Sequence, residues 1–398
     1  MGVSTAAAMS ASTGSPPPDP ASPPANAERS VAARSFAGFA PSAPIRLRPA
    51  GILEGPAAVA ALEQGRAWPL AGGPLAFADV EAIARAESGG AVSAYGSVGD
   101  LLRWSAQQNG DVRQQVSSGL AAIIAHRAPW AGLSLDRPRL MGVVNVTPDS
   151  FSDGGRFLDP ARAIEHGRAL LAAGAEIIDV GGESTRPRAE PIPPEEEIRR
   201  IEAVVRGLAE TGALVSIDTR HAPVMEAALA AGARIINDVG ALTGAGTLAV
   251  AAEHGAVVVL MHMAGDPRTM QEDPRYDDPA LDVLDFLETR IAACEAAGIA
   301  RERIAVDLGI GFGKKDPHNL ALLARLTLLH ATGCAVMLGA SRKSFISRLG
   351  GGTGSGERLG GSLAAALWAA SQGVQLLRVH DVAETRQALA IRAAIIGG

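Results

Sequence analysis

The chain has 398 residues, 47% hydrophobic and 20% charged, the composition of a globular protein long enough for one large domain and something beside it. A formal net charge of -6 leaves no overall basic field to hold nucleic acid or an anionic membrane, so an anionic substrate would have to be met by local Arg and Lys. The two cysteines, Cys294 and Cys334, lie far apart and outside any CxxC pattern, which fits free thiols in a reducing compartment and argues against a thiolate metal site.

In chain order, residues 1–43 come first, dominated by Ala, Ser and Pro with PPPDP and SPP clusters. Such a composition buries too little surface to offset backbone ordering, so a disordered tail is expected. The tail has no basic region leading into an apolar one, as a secretory signal would, and Ala6 stands where a myristoylation signal needs Ser or Thr. No run approaches the roughly 18 apolar residues of a membrane span, and the expected location is the cytoplasm. Residues 44–136 are globular in composition and form a small N-terminal extension of unassigned role. Val112, Val116, Leu120 and Ile123 fall at helical spacing, and Gly99 and Asp100 read as turn residues between earlier apolar pieces. Trp68, Trp104 and Trp130 are expected to build a small core here, as a cap on the next domain rather than a second activity.

Over residues 137–398 short β-branched runs alternate with alanine-rich stretches, eight times. The predicted strands are Leu140–Val146, Glu176–Val180, Leu214–Asp218, Arg234–Asp238, Ala256–His262, Ile304–Leu308, Ala335–Gly339 and Gln375–Val379. Predicted helices include Pro160–Ala173, Pro194–Thr211, Pro223–Ala231, Pro279–Ala297 and Glu357–Gln372, several opening with Pro in the first turn. Strands apolar almost throughout are buried on both faces and therefore parallel. Eight such units match a closed (β/α)8 TIM barrel in count and length. An open doubly wound sheet is the alternative, but NVTPDSF at the first strand-to-helix turn is no dinucleotide fingerprint.

A barrel of this kind carries its active site at the C-terminal strand ends. Those ends read Asn145, Asp179, Asp218, Asn237-Asp238, His262, Asp307, Ser341-Arg342-Lys343, Arg378 and His380. One polar residue ending a strand is most often a helix cap; acids and amides at the early ends with cations at the late ones point to a ligand. The loops after strands 7 and 8, a common phosphate site in barrels, read GASRKSF and RVHD. Carboxylates such as Asp218 and Asp307 can accept paired N–H bonds from a flat nitrogen heterocycle, and Asn237 offers both donor and acceptor. The pocket is thus read as acidic at its base, for a heterocycle, and cationic at its rim, for a phosphate group. Gly309–Lys315 misses the Walker spacing at Leu308 and has Lys315 in place of Ser or Thr, and His262 has no second ligand at metal spacing.

Taken together, MGVVNVTPDSFSDGG, IIDVGGESTRP, SIDTR, IINDV, LMHM, DLGIGFGKK, ASRKSFI and RVHDV closely resemble the dihydropteroate synthases of folate biosynthesis, pterin-binding TIM barrels. The match runs over about residues 139–396 in that family's order and spacing. The resemblance implies a transferase joining 4-aminobenzoate to (7,8-dihydropterin-6-yl)methyl diphosphate, giving 7,8-dihydropteroate and diphosphate. By position, Asn145 resembles the residue that contacts Mg2+, and Asp218, Asn237, Asp307 and Lys343 the pterin-holding set. Thr185, Arg378 and His380 resemble groups on the diphosphate, with Arg186 a loop arginine near it. Phe151, Asp153, Pro187 and Ser341 resemble parts of the 4-aminobenzoate pocket, assembled when the first two loops close. The resemblance makes Lys343, Arg378 and His380 the expected catalytic residues and Mg2+ the expected cofactor. It implies small-molecule partners and a homodimer, with neither nucleic acid nor membrane.

Three positions depart from the family pattern: Leu308 where Pro usually follows the strand-6 Asp, Arg188 where Gly is common, and Gly240 after Asn-Asp-Val. None removes a binding group. A pterin-binding methyltransferase domain would share the barrel and its Asp/Asn base but need not hold diphosphate, so the SRKS and RVHD cations favour the synthase. A catalytically dead pterin binder is disfavoured by the intact set Asn145, Thr185, Lys343, Arg378 and His380.

Overall fold

The structure, a computed structural model, describes residues 35–147, 160–184, 189–351, 354 and 356–397. The N-terminal unit contains β1 (Arg46–Leu53), α1 (Gly55–Glu63), β2 (Trp68–Pro69), β3 (Ala76–Arg85), β4 (Ala91–Ser97), α2 (Val98–Ser105) and α3 (Gly110–Ile124). β3 is its central strand, antiparallel to all three others; Ala82 faces Leu47 of β1 on one side and Ala94 of β4 on the other. Gly99 and Asp100, expected to form a turn, instead lie in the first turn of α2. Ser97 Oγ accepts from the Asp100 amide at 3.1 Å and Asp100 Oδ2 accepts from the Ser97 amide at 3.2 Å, a reciprocal cap that starts a helix where composition alone indicated a break. The expected boundary of the tail at residue 43 also shifts, because Phe36 and Phe39 are buried against Trp104, with ring centroids 5.9 and 5.4 Å away. Residues 1–34 lie outside the described residues.

The second unit is the barrel. In chain order it runs β5 (Arg139–Asn145), α4 (Pro160–Ala173), β6 (Ile177–Gly181), α5 (Pro194–Ala209), β7 (Val215–Asp218), α6 (Ala222–Ala230) and β8 (Ile235–Asp238). There follow α7 (Thr247–Glu253), β9 (Val257–Met261), α8 (Pro279–Ala296), β10 (Ile304–Asp307), α9 (Asp316–Ala324) and β11 (Ala335–Leu338). It ends with α10 (Ser344–Gly350), α11 (Leu359–Ser371), β12 (Leu376–Val379) and α12 (Val382–Gly397). β5 to β12 close on themselves in sequence order, β12 pairing in parallel with β5, which is the (β/α)8 architecture. Side chains alternate along each strand. Outward positions such as Val144, Ile178, Ile217, Val258, Val306 and Val336 pack under the helices in one large apolar cluster. Inward positions at the N-terminal end, Met141, Ile177, Ile235, Val259, Ala305, Met337 and Leu376, form a separate plug.

Trp130 belongs to that plug rather than to the core of the N-terminal unit, where Trp104 and the partly buried Trp68 do lie. It is fully buried and closes the barrel floor. The linker before it is tied down by Arg127, buried, whose guanidinium donates to the carbonyls of Ala122, Ala125, His330 and Cys334 at 2.8–3.0 Å. Arg46 and Arg85 pair with Asp285, Glu288 and Asp282 of α8, so the extension is fastened to the barrel by charge as well as by packing. Both cysteines are buried free thiols. Among the described residues no helix is long and apolar enough to cross a membrane.

Candidate active site

The same inward rows that are apolar at the floor end in polar and charged groups at the C-terminal mouth: Asn145 on β5, Asp179 on β6, Asp218 on β7, Asn237 on β8, Asp307 on β10 and Arg378 on β12. Two strand ends between them carry glycine, which leaves room. An atom in the Cβ position of Gly181 would lie 3.5 Å from Asp218 Cβ and 3.8 Å from Asn145 Oδ1. One at Gly339 would lie 3.6 Å from Asp307 Oδ2 and 3.8 Å from Arg378 Cβ. The mouth is therefore walled by side chains from six of the eight strands, with space left beside Gly181 and Gly339.

Its base is one hydrogen-bonded network. Arg378 donates from Nε to Asp179 Oδ2 and from Nη2 to Asp218 Oδ2, both at 2.6 Å, and Asn237 Nδ2 donates to Asp179 Oδ2 at 3.0 Å. Burial pulls Arg378 down, but Asp179 and Asp218 outweigh it and hold the guanidinium above its ordinary value. Burial pushes Asp218 up to about 7 against the pull of Arg378. The second oxygen, Asp218 Oδ1, is buried and makes no hydrogen bond among the described residues. Such an atom at a cleft base is suited to accept from a ligand N–H.

Across the mouth, Asp307 accepts from the Gly309 amide at 2.6 Å and the Gly339 amide at 3.0 Å, which fixes its carboxylate without exhausting its lone pairs. Burial raises it, opposed by the Gly309 amide and Lys343. Lys343, at the start of α10, donates to the Ile310 carbonyl, and its Nζ lies 4.0 Å from the centre of the Phe312 ring. Burial brings Lys343 down to about 7. Behind it the buried Lys314 donates to His262 Nδ1 (2.9 Å), the His262 carbonyl (3.1 Å) and the Phe312 carbonyl (2.9 Å). Burial, then Lys314, lowers His262 to about 3, so its ring is a neutral acceptor for Lys314.

At the rim, Ser341 Oγ accepts from the His380 amide at 3.2 Å and lies 3.1 Å from His380 Nδ1. Arg342 differs from the expectation of a rim cation. Its guanidinium is bound to Asp381, with Nε 3.0 Å from Oδ2. Its left-handed backbone, φ +57°, is held by its own amide on Ser362 Oγ and by Arg358 on its carbonyl, at 2.9 and 2.8 Å. Asp238 likewise turns out to cap the next turn, accepting from the amides of Gly240 and Leu242. Asn145, Asp218, Asn237, Asp307, Ser341, Lys343, Arg378 and His380 are thus all placed at one end of the barrel. Phe151, Asp153, Thr185, Arg186, Pro187 and the variant Arg188 lie outside the described residues.

Residues 141–380 match the profile of the pterin binding enzyme family. Dihydropteroate synthase of Escherichia coli is 47% identical over 265 residues, 66% of this chain and 94% of that protein. The chain belongs to the dihydropteroate synthase family. A solved Xanthomonas albilineans dihydropteroate synthase with 4-aminobenzoic acid is 49% identical, with a TM-score of 0.63, covering 67% of this chain and 96% of its own. The same organism's enzyme in complex with 7,8-dihydropteroate is 46% identical, with a TM-score of 0.61 over 66% and 95% of the two chains. A Yersinia pestis dihydropteroate synthase with a sulfonamide drug complex gives 44% identity and a TM-score of 0.64 over 67% and 97%. In each case the coverage of this chain is about what its barrel provides.

The part played by Asp179 is not evident from the sequence. It stood among the strand ends without a role, yet it is fully buried and shared between Arg378 and Asn237. The signal was present, since an Asp inside an apolar strand needs a partner, but the partner lies 199 residues away. Lys314 was considered only as part of a failed phosphate loop.

Proposed function

We infer that this protein condenses (7,8-dihydropterin-6-yl)methyl diphosphate with 4-aminobenzoate to give 7,8-dihydropteroate and diphosphate. The observation that carries the reading is the mouth network, with Asp179, Asp218, Asn237, Asp307, Lys343 and Arg378 gathered at one end of a family barrel. A pterin edge offers ring N–H and amino donors and adjacent acceptors. Asp218 and Asp307 accept from the donors, Asn237 does both, and the Lys343 ammonium donates to an acceptor. Arg378 locks Asp218 through Oδ2 and leaves Oδ1 without a hydrogen bond among the described residues, an acceptor for a pterin N–H. Ser341 and His380 stand at the rim, where the diphosphate and 4-aminobenzoate are proposed to meet.

The C–O bond between the pterin methylene and diphosphate breaks, and its electron pair leaves with the diphosphate oxygen. The methylene then forms a C–N bond with the neutral aniline nitrogen, which gives up one proton to solvent. No side chain need become covalently attached. Arg378 and Lys343 contribute positive charge, and His380 a ring N–H, where the leaving group gains negative charge. Asn145, at the β5 end, is the proposed Mg2+ contact. A single neutral amide oxygen fits a hard cation that keeps water and takes most of its ligands from substrate phosphate. When bound, Mg2+ would neutralise diphosphate oxygens. Closure of the loops that carry Phe151, Asp153, Thr185, Arg186 and Pro187 would keep water from the electron-poor methylene.

A homodimer is proposed as well, supported by the exposed apolar side chains Trp368 on α11 and Ile391 and Ile395 on α12, a surface that suits a partner. The cytoplasm is the proposed location, supported by two reduced buried cysteines. The test of the reaction is direct. Incubated with Mg2+, the dihydropterin diphosphate and 4-aminobenzoate, the protein should release diphosphate and form dihydropteroate only when all three are present. Lys343→Ala and Asp218→Ala should each lower kcat/KM by orders of magnitude while the far-UV spectrum is kept. Diphosphate release independent of 4-aminobenzoate, or near-normal kinetics in either variant, would overturn the reading.

A further inference from the structure

A second cluster of ionisable groups lies beside the mouth and takes no part in the chemistry above. Glu183 follows β6, Glu197 sits in the first turn of α5, and His221 precedes α6. One carboxylate oxygen from each glutamate and one ring nitrogen of His221 all lie within 4.8 Å of one another. Glu197 is fully buried, and neither of its oxygens makes a hydrogen bond among the described residues; the Thr219 hydroxyl is near enough to moderate its charge but closes no such bond. His221 Nε2 faces Glu183 Oε2 at 3.5 Å, a long contact that pairs the imidazole with the carboxylate already held by Arg220. Glu197 is thus a fully buried carboxylate with no hydrogen bond among the described residues, beside the Glu183–His221 pair, an expensive arrangement that a shared cation would relieve.

We propose that Glu183, Glu197 and His221 form a divalent transition-metal site, of the Zn2+ class, separate from the Mg2+ contact proposed at Asn145. The donor set, two carboxylates and one imidazole, is one Zn2+ accepts, with a fourth position left for water. Bonds of about 2.0–2.2 Å at tetrahedral angles put ligand atoms roughly 3.3–3.6 Å apart, so side-chain adjustments of up to roughly an ångström close the set from its present span of 4.8 Å. Glu183 already has the outer support that a ligating carboxylate normally has. Arg220 donates from Nε to Oε2 at 3.1 Å and from Nη2 to Oε1 at 3.3 Å, and the Ile192 amide donates to Oε1 at 3.3 Å. These bonds are long for charged partners, which leaves Glu183 lone pairs for a metal. The Arg220 charge weakens binding relative to a site without it, yet it also orients the carboxylate. A metal here would join Glu183, just after β6, and Glu197, in the first turn of α5, to His221 before α6.

The full chain, stripped with a chelator, is titrated with Zn2+ against a chromophoric competitor. One equivalent per chain is expected, with affinity at least 100-fold weaker in Glu197→Gln and in His221→Gln, each of which keeps size while removing a ligand. Asn145→Ala should retain the site. Zn2+ should raise the melting temperature of the wild type and leave both Gln variants unmoved. X-ray absorption of the Zn2+ protein should give nitrogen and oxygen ligands only, including one imidazole. Absence of a stoichiometric site, unchanged affinity in either Gln variant, or sulfur in the ligand shell would each overturn the proposal. If a Gln variant misfolds, the absorption spectrum of the wild type still decides.

Discussion

Replacing Arg378 by Met removes the cation between Asp179 and Asp218 while keeping most of the side-chain volume. Two charge-assisted bonds of 2.6 Å are lost. Taking one member from a buried ion pair costs about 3–5 kcal/mol, because the remaining charge stays desolvated. Protonation of Asp218, already pushed up to about 7 by burial, offers partial relief, so a loss near 3 kcal/mol at pH 8 is expected. The sign with pH follows from that shift. A carboxyl whose folded value lies above its unfolded value favours folding most below the unfolded value, and that advantage is lost as pH rises through the folded one. Without Arg378 the folded value rises further, so the deficit of the variant should be smaller at pH 5.5 than at pH 8. Adding Asp179→Asn should recover part of the loss, about 1–2 kcal/mol, since a neutral amide oxygen can still accept from Asn237. Urea unfolding followed by circular dichroism, with slopes checked for constancy, measures all of this. A single variant within 1 kcal/mol of wild type at pH 8, or no recovery in the double variant, would refute the network as the source of the mouth's order.

The pH profile of kcat/KM should be a bell, because Asp218 must be ionised to accept and Lys343 charged to donate, and burial brings both to about 7; the two limbs belong to the coupled set. Lys343→Arg should erase the alkaline limb and keep the acid one, and loss of the acid limb instead would exchange the roles. Trp130→Ala should cost about 3–5 kcal/mol by emptying the barrel floor yet leave both KM values near wild type, since the floor is at the opposite end from the substrates; a large KM change would contradict that separation. Deleting residues 1–34 should alter neither stability nor rate. Deleting 1–43 should cost about 3 kcal/mol through loss of the Phe36 and Phe39 contacts with Trp104, with the rate unchanged; equal melting temperatures for the two truncations would show those contacts to be idle.

What could be read from the sequence follows from how much of each constraint is local. The barrel strands were legible because burial on both faces makes nearly every residue apolar, a signal five residues long that needs no partner. Their ends were placed within a residue or so, yet one residue decides which side chains face inward. Ending the second strand at Val180 hid that Gly181 is an inward position between Asn145 and Asp218, and so hid the space there. The acids and cations of the mouth were visible as strand-end residues, but their pairing was not. Arg378 stands 199 residues from Asp179 and 160 from Asp218, and nothing in a single sequence says which late cation meets which early acid. In the extension, no short-range pattern distinguishes Trp130, bound for the barrel floor, from Trp104, bound for the small core. The reciprocal cap of Ser97 and Asp100 was local and readable, and weighting Gly99 as a breaker concealed it.

Closing a barrel in which every second residue points inward forces the last inward position of each strand toward one shared space. Charges placed there must therefore be matched across the mouth rather than along the chain. Arg378 meets this by serving two strands at once, leaving Asp179 Oδ1 and Asp218 Oδ1 as buried oxygens of the network that make no hydrogen bond among the described residues.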